Sequence, residues 1–510
     1  MRNTESAEHS AGERVGRGAG NVTAAAFSSA IFTRGDLRRV LAIAAGLILF
    51  LAFYLVPFGG DLTDPNGNRI VLTQEGRGAI GLVILAIVWW AMEAAPIGIT
   101  AVAVGMFQAI FGLRPAVQAF HDFMDPSVLF IFGSIVMGIA IIKSGLARRG
   151  IYGILGASGE RCAPVLLGCM AATALLAHFM PHTAAAACIF PILLSVNDLY
   201  GEGSRPNAFG KSLFIGMAYA AGAGSIATMF GSARTPAAMA MFREFAGADV
   251  AFGELSKFML PLSWVMLVLI WAYLSVVFKS GSRELAGLKE SARDQLRRMG
   301  PFSRRESTVA AGIVVVIAAL LIQPVVPVLQ SIDKTAVFLV ATVAFFLSRV
   351  LGIKDLEEVP WNIILLYGGA VSLSFCLWQT GAAGWLGLHV YFLFSTGIVL
   401  LACAVAAVLV LSNLITNVAV LAALIPVLIA AAKYGGVHAE PVFYACLAAA
   451  GMPFVLRMGS APNAIAYESR QFDKSELFRH GVVVSAILIA VILAASLFIW
   501  PLFGMAAGNP

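Results

Sequence analysis

The sequence predicts an all-α polytopic membrane protein with about eleven transmembrane helices and two re-entrant hairpins arranged as inverted repeats. Three observations carry this. The 510 residues are 59% hydrophobic and only 12% charged, with a mean hydropathy of +0.87. Soluble domains carry roughly twice that charged fraction. Apolar runs of roughly 17 to 25 residues, long enough to cross a bilayer, follow one another along the chain. Two of them are interrupted by polar knots: Ser412, Asn413, Thr416 and Asn417 in one, His178, His182 and Thr183 in the other. Amides and hydroxyls are costly at membrane depth unless the backbone breaks there and the groups line a cavity. Each knot is followed by a proline, Pro191 or Pro426, eight residues past Thr183 or Val418. A matching breaker comes 48 or 41 residues on: Gly231-Ser-Ala-Arg-Thr-Pro236 and Gly459-Ser-Ala-Pro-Asn463. Paired broken segments in two halves point to the binding site of a secondary transporter.

Taken in order, residues 1–37 are polar, rich in Gly, Ala and Ser, and carry Arg2, Arg14 and Arg17. They read as a disordered cytoplasmic arm without a cleavable signal peptide. A first helix is expected over 40–58, behind Arg34, Arg38 and Arg39, then a Gly/Pro/Asn/Asp loop over 59–78. Helices two and three cover 79–95 and 96–113, hinged at Pro96, and a fourth covers 127–142. A hairpin too short for two full spans follows at 163–198. The fifth helix, 212–242, is broken at 231–236, and the sixth covers 259–278. A linker, 279–307, joins the first half (38–278) to the second (308–510). Eight basic and three acidic residues within 279–305 mark it as a solvated, amphipathic cytoplasmic segment. The remaining helices are expected at 308–326, 335–350 and 361–378. The second hairpin lies at 391–432. The tenth helix, 441–467, is broken at 459–462, and an eleventh covers 482–503.

The positive-inside rule orients this map. With a cytoplasmic N-terminus, the inner connections hold Lys143, Arg148, Arg149 and Arg161, the linker cluster, and Arg470, Lys474 and Arg479, while the outer ones hold far fewer. This bias requires both hairpins to be re-entrant and opens them to opposite sides. The two halves then run in opposite senses, and the C-terminus lies outside. The repeat extends to Ser127-Val-Leu-Phe-Ile-Phe-Gly-Ser134 with Ser144-Gly-Leu-Ala147, matched by Asn362-Ile-Ile-Leu-Leu-Tyr-Gly-Gly369 with Thr380-Gly-Ala-Ala383.

The net charge of +6 reflects cytoplasmic loop bias, with no nucleic-acid partner implied. The six cysteines sit in or beside apolar segments without a CxxC and read as packing residues. No catalytic constellation, zinc spacing or phosphate loop is present, so an enzyme is disfavoured. Glu93, the clear acidic residue within a predicted helix, reads as a helix-end group near Pro96. A cation/proton antiporter would carry a buried acid at its broken helices, and here the tips and breakers carry none. A channel would not need two knots opening to opposite sides. Helix N-termini starting after each break favour an anion, and freed carbonyls with Asn, Ser and Thr oxygens suit sodium.

At this point the residues resemble the divalent anion:sodium symporter family, which carries dicarboxylates, citrate or sulfate. The match lies in Trp89-Trp90, Glu93, Pro96-Ile97, Pro360-Trp-Asn362, Gly368-Gly369, the hairpins and the breakers. The resemblance implies a homodimer with a scaffold domain and a transport domain that moves like an elevator. It places substrate on His182, Thr183, Ser232, Arg234, Thr416, Asn417, Val418 and Ser460. A second-half sodium site falls on Ser412, Thr416, Asn417 and Gly459. The first sodium site is degenerate, at Ala177, Pro181, His182 and Gly231, where the family's serine and asparagine are lost. His182 and Arg234 stand as cationic departures, or as a tip hydrogen bond and a packed arginine; His178 and Arg457 read as structural. The expected function is secondary transport of small divalent anions, C4-dicarboxylates foremost, in a bacterial inner membrane with Na+ as coupling ion. The alternatives are a sodium-independent or proton-linked anion exchanger and a sulfate or sulfonate carrier.

Overall fold

A bilayer leaves the backbone no partner but itself, so each apolar run folds as a helix. The computed structural model describes residues 34–201, 205–279, 284–394 and 397–505. The expected arm thus lies outside the described residues over 1–33, while 34–37 begin the first helix instead of extending the arm. In order come α1 (Arg34–Leu55), the strand pair β1 (Leu62–Thr63) and β2 (Arg69–Ile70), α2 (Gln74–Ala91), α3 (Ile97–Ile110), α4 (Ala116–His121), α5 (Pro126–Ser144), α6 (Leu146–Ala157), α7 (Cys162–Phe179), α8 (His182–Asp198), α9 (Ala208–Gly224), α10 (Arg234–Ala246) and α11 (Phe252–Phe278). Then follow α12 (Leu288–Met299), α13 (Arg304–Ile322), α14 (Pro327–Gln330), α15 (Lys334–Leu347), α16 (Ile353–Glu357), α17 (Trp361–Gln379), α18 (Ala382–Leu393), α19 (Gly397–Leu414), α20 (Asn417–Tyr434), α21 (Ala439–Gly451), α22 (Ala461–Tyr467), α23 (Lys474–Ala494) and α24 (Trp500–Leu502). Among the described residues nine helical stretches are long and apolar enough to cross a membrane. The chain is an all-α polytopic membrane protein.

The element order repeats. The series α2, α3, α5, α6, hairpin α7–α8, broken helix α9/α10, α11 is matched by α13, α15, α17, α18, hairpin α19–α20, broken helix α21/α22, α23, and α1 stands outside it. The two Gly-containing turns noted in the sequence start α6 and α18. Gly145 (φ 92°) and Gly381 (φ 76°) hold a left-handed conformation there that other residues adopt at a cost. Neither helix was expected; both fall in stretches too short to read as spans.

Packing is reciprocal. The outgoing arm of the first hairpin, α8, packs on α22, and its counterpart α20 packs on α10. The half-helices α9 and α21 lie deepest: every residue from Phe209 to Gly224 except Lys211 is buried, as is every residue from Pro441 to Gly451. Both are rich in Ala and Gly, which suits close helix approach where lipid supplies no hydrophobic drive.

Three expectations are corrected or refined. Both breaks are longer than the sequence suggested, spanning 225–233 and 452–460, because the helices already stop at Gly224 and Gly451. Pro453 disfavours helix at Met452. The arms of the hairpins differ in length: α7, α19 and α20 have 18 residues each and pass by length and hydropathy, whereas α8, 17 residues with Pro191 inside, does not. Re-entrance of the second hairpin therefore rests on charge bias alone. Glu93 is outside the helix, exposed, and at φ 50°.

The connector is ordered where described. Helix α12 buries Leu288 and Ala292 and packs on α6. A Ser303/Glu306 capping box starts α13, and the same Glu306 carboxylate accepts from Arg149 of α6 at 2.6 Å.

Candidate functional site

The tip of each hairpin meets the break of the long helix in its own half. In the first half, the His182 backbone N–H donates to the Gly231 carbonyl at 3.0 Å. The Thr228 hydroxyl donates to the His178 carbonyl, Ser134 Oγ of α5 donates to the Phe230 carbonyl at 3.0 Å, and His178 Nδ1 meets the Gly224 carbonyl at 2.8 Å. A Cβ at Gly231 would lie 2.3 Å from the Ala177 carbonyl and 2.6 Å from that of Ser225, so only glycine lets the tip seat here.

In the second half one side chain does the equivalent work. Asn413 Oδ1 accepts from the backbone N–H groups of Val455 (2.9 Å) and Leu456 (3.1 Å), while its Nδ2 donates to the Leu409 carbonyl at 2.8 Å. Asn463 Nδ2 closes the break from the other side, donating to the carbonyls of Pro453 (2.8 Å) and Leu456 (2.9 Å). Gly459 packs against Asn413.

These fixings leave a set of polar groups free. Ser412 Oγ, Thr416 Oγ1 and Asn417 Oδ1 are buried and find no partner in the protein. Thr416 sits at the N-cap of α20 in extended conformation, yet its hydroxyl caps nothing. Threonine at an N-cap ordinarily accepts from the first turn, so an unused hydroxyl leaves both it and the helix N-terminus available to a ligand. Three hard oxygens within six residues, beside the 3-10 turn Arg457–Gly459, suit an alkali cation. Among the described residues no His/Cys/Asp/Glu cluster could hold a transition metal.

The first tip offers a different surface. Ala177 occupies the position of Ser412, Pro181 that of Thr416, and His182 that of Asn417, each at the matching point of its hairpin. His182 Nδ1 is unpartnered. Arg234, the first residue of α10, is 1% exposed; its Nη2 donates to Ser225 Oγ, and its Nε has no partner. Tyr367 of α17 lies within reach of Ser232 and Arg234.

The structure thus brings together Ala177, Pro181, His182, Gly231, Ser232 and Arg234 at one tip, and Ser412, Thr416, Asn417, Gly459 and Ser460 at the other. Val418 departs from expectation: it is 2% exposed within the apolar core, so it packs the hairpin. Thr183, next to His182 in the first turn of α8, is exposed. Arg457 is exposed, with its guanidinium 5.1 Å from the centre of the Tyr467 ring. Asn413, Ser225, Thr228, Asn463 and Tyr367 were not singled out as site residues. Asn413 and Asn463 stood inside the knot and breaker; Ser225 and Thr228, polar residues closing a Gly/Ala run, carried a weaker signal of the same kind.

Two helix pairs that break against polar hairpin tips, within a repeated series of membrane helices, define a transporter of the secondary type. The chain belongs to the family described as the sodium:sulfate symporter transmembrane region, whose model matches residues 65–506. It is 23% identical over 454 residues to the sodium-dependent dicarboxylate transporter SdcS of Staphylococcus saprophyticus, covering 84% of this chain and 87% of that protein. It is 24% identical over 455 residues to SdcS of Staphylococcus aureus, with the same coverage. Two solved structures share the fold. Neisseria gonorrhoeae MtrF has a TM-score of 0.56 and 14% identity over 93% of this chain and 96% of its own. The Alcanivorax borkumensis YdaH transporter has a TM-score of 0.55 and 12% identity over 93% of this chain and 99% of its own.

Proposed function

We propose that this protein is a secondary active transporter of small divalent anions, with C4-dicarboxylates as cargo and sodium as coupling ion, in a bacterial inner membrane. The observation that carries this is the trio of buried, unpartnered oxygens on Ser412, Thr416 and Asn417. They supply what a dehydrated sodium ion requires, and the Gly459 carbonyl would complete the set. The anion would lie between the tips, where α8 and α20 present N-termini and Arg234 a positive charge. Ser232 and Ser460 would donate to its oxygens. The naming of the SdcS relatives supports both cargo and ion.

The moving unit would comprise both hairpins and both broken helices, sliding against a scaffold formed by the remaining helices and a homodimer contact, with α17 on the scaffold side because the buried Arg114–Asp122 pair and Gln379 tie it to the α3–α4 region. The test is uptake of radiolabelled succinate into proteoliposomes, with and without an inward sodium gradient. Sodium-driven accumulation from empty vesicles is expected. Uptake that needs internal anion and ignores sodium would instead favour the exchanger reading, which the cationic first tip supports. No succinate signal in either format turns the cargo to sulfate or sulfonates.

A further inference from the structure

The two repeats differ where the half-helices cross. Helices α9 and α21 end against one another: a Cβ at Gly222 would lie 3.2 Å from the Gly451 carbonyl. Both helices point their C-terminal, partially negative ends at this crossing, and freed carbonyls there invite a cation. The Arg234 guanidinium lies in it. Its Nη2 donates to Ser225 Oγ, just past the end of α9, and would stand 2.9 Å from a Cβ at Gly451, the last residue of α21. Its Nε is buried and unpartnered, so this is no saturated structural arginine. The second half has no such charge at the matching place: the breaker position that corresponds to Arg234 is Pro462, and Arg457, earlier in that break, is exposed over the Tyr467 ring. The oxygens follow the same asymmetry. Ser412, Thr416 and Asn417 leave theirs free, whereas Ala177 and Pro181 offer no side-chain oxygen at all.

We propose that Arg234 is a tethered cation standing in for a bound ion in the first half, so that the carrier takes up a single sodium, at the second-half tip. This rests on the sodium-coupled reading above. A dianion moving with one sodium carries one net negative charge, so an inside-negative potential opposes its uptake. The built-in charge travels out and back with the protein and adds nothing to the net transfer.

Sodium binding is read from the sodium-dependent rise in melting temperature of the full chain in detergent, titrated against choline. A single-site isotherm is expected, and Ser412→Ala should abolish the rise. A sodium-dependent rise that persists in Ser412→Ala, or a two-site isotherm in the parent, overturns the proposal. In proteoliposomes, a valinomycin-imposed inside-negative potential should slow sodium-driven succinate uptake several-fold; acceleration overturns it. Arg234→Lys should keep the single-site isotherm and measurable uptake, while Arg234→Gln should lose at least tenfold in uptake. Equal uptake by Arg234→Gln and the parent overturns the role of the charge. Absence of any sodium response in the folded parent marks a different failure, that of the sodium-coupled reading itself.

Discussion

The N–H of His182 donates to the carbonyl of Gly231, 49 residues away in sequence, at 3.0 Å. This bond joins the first residue of a hairpin helix to the broken segment beneath it. It forms only because Gly231 has no side chain to strike the Ala177 carbonyl. Gly231→Ala should therefore cost about 1–3 kcal/mol, the range for overpacked sites, and reduce uptake at least tenfold. Thermal unfolding in detergent and succinate flux measure the two effects.

Asn413 holds the second break through three hydrogen bonds, and two of the groups it satisfies are backbone N–H donors. Asn413→Ala strands both. Leaving a buried donor unsatisfied costs about 1–3 kcal/mol, so the variant should melt well below the parent. The sodium response should weaken with it, because Gly459 packs on the same side chain. A variant with unchanged melting and sodium response would remove Asn413 from the site.

Thr416→Val keeps the shape of the side chain and deletes only an oxygen that the protein itself leaves unused. Stability without sodium should hold or rise slightly, since a buried unpaired hydroxyl is unfavourable. The half-saturating sodium concentration should rise about tenfold or more, equivalent to about 1.4 kcal/mol or more. Unchanged sodium dependence would dismiss the second-half site.

Arg114 and Asp122 form an ion pair at 2.7 Å with side-chain exposures of 3% and 8%. Gln108 Oε1, the Ser372 carbonyl and Gln379 Oε1 also accept from Arg114. The pair fastens the α3–α4 region to α17. Removing one partner of a buried pair costs about 3–5 kcal/mol, more than the pair itself contributes. Asp122→Asn should destabilise strongly, and Arg114→Met with Asp122→Leu should recover part of the loss. Additive single and double effects on melting would show the two to be uncoupled.

Most of the architecture follows from the bilayer. Hydropathy and the cost of buried polar groups dictate helices, and a polar knot within an apolar run forces a break, so the hairpins, both breaks and the repeated order were legible. Ser412, Thr416 and Asn417 were legible too, because three polar side chains in six residues have few other uses at that depth. Tertiary structure decided the rest. Arg114 falls just past the helix expected over 96–113, and an ion pair eight residues apart leaves no periodic trace; α17 closing over it makes it half of a buried pair. Val418 read as a tip residue, but a helix turns about 100° per residue and sends it to the core. Asn413 and Ser412 are adjacent in the chain, yet one pins a backbone while the other stays free. Only the approach of 452–460 distinguishes them. The place of Arg234 depended most on three dimensions: its guanidinium reaches the crossing of α9 and α21, a point fixed by the meeting of two halves separated by over 200 residues.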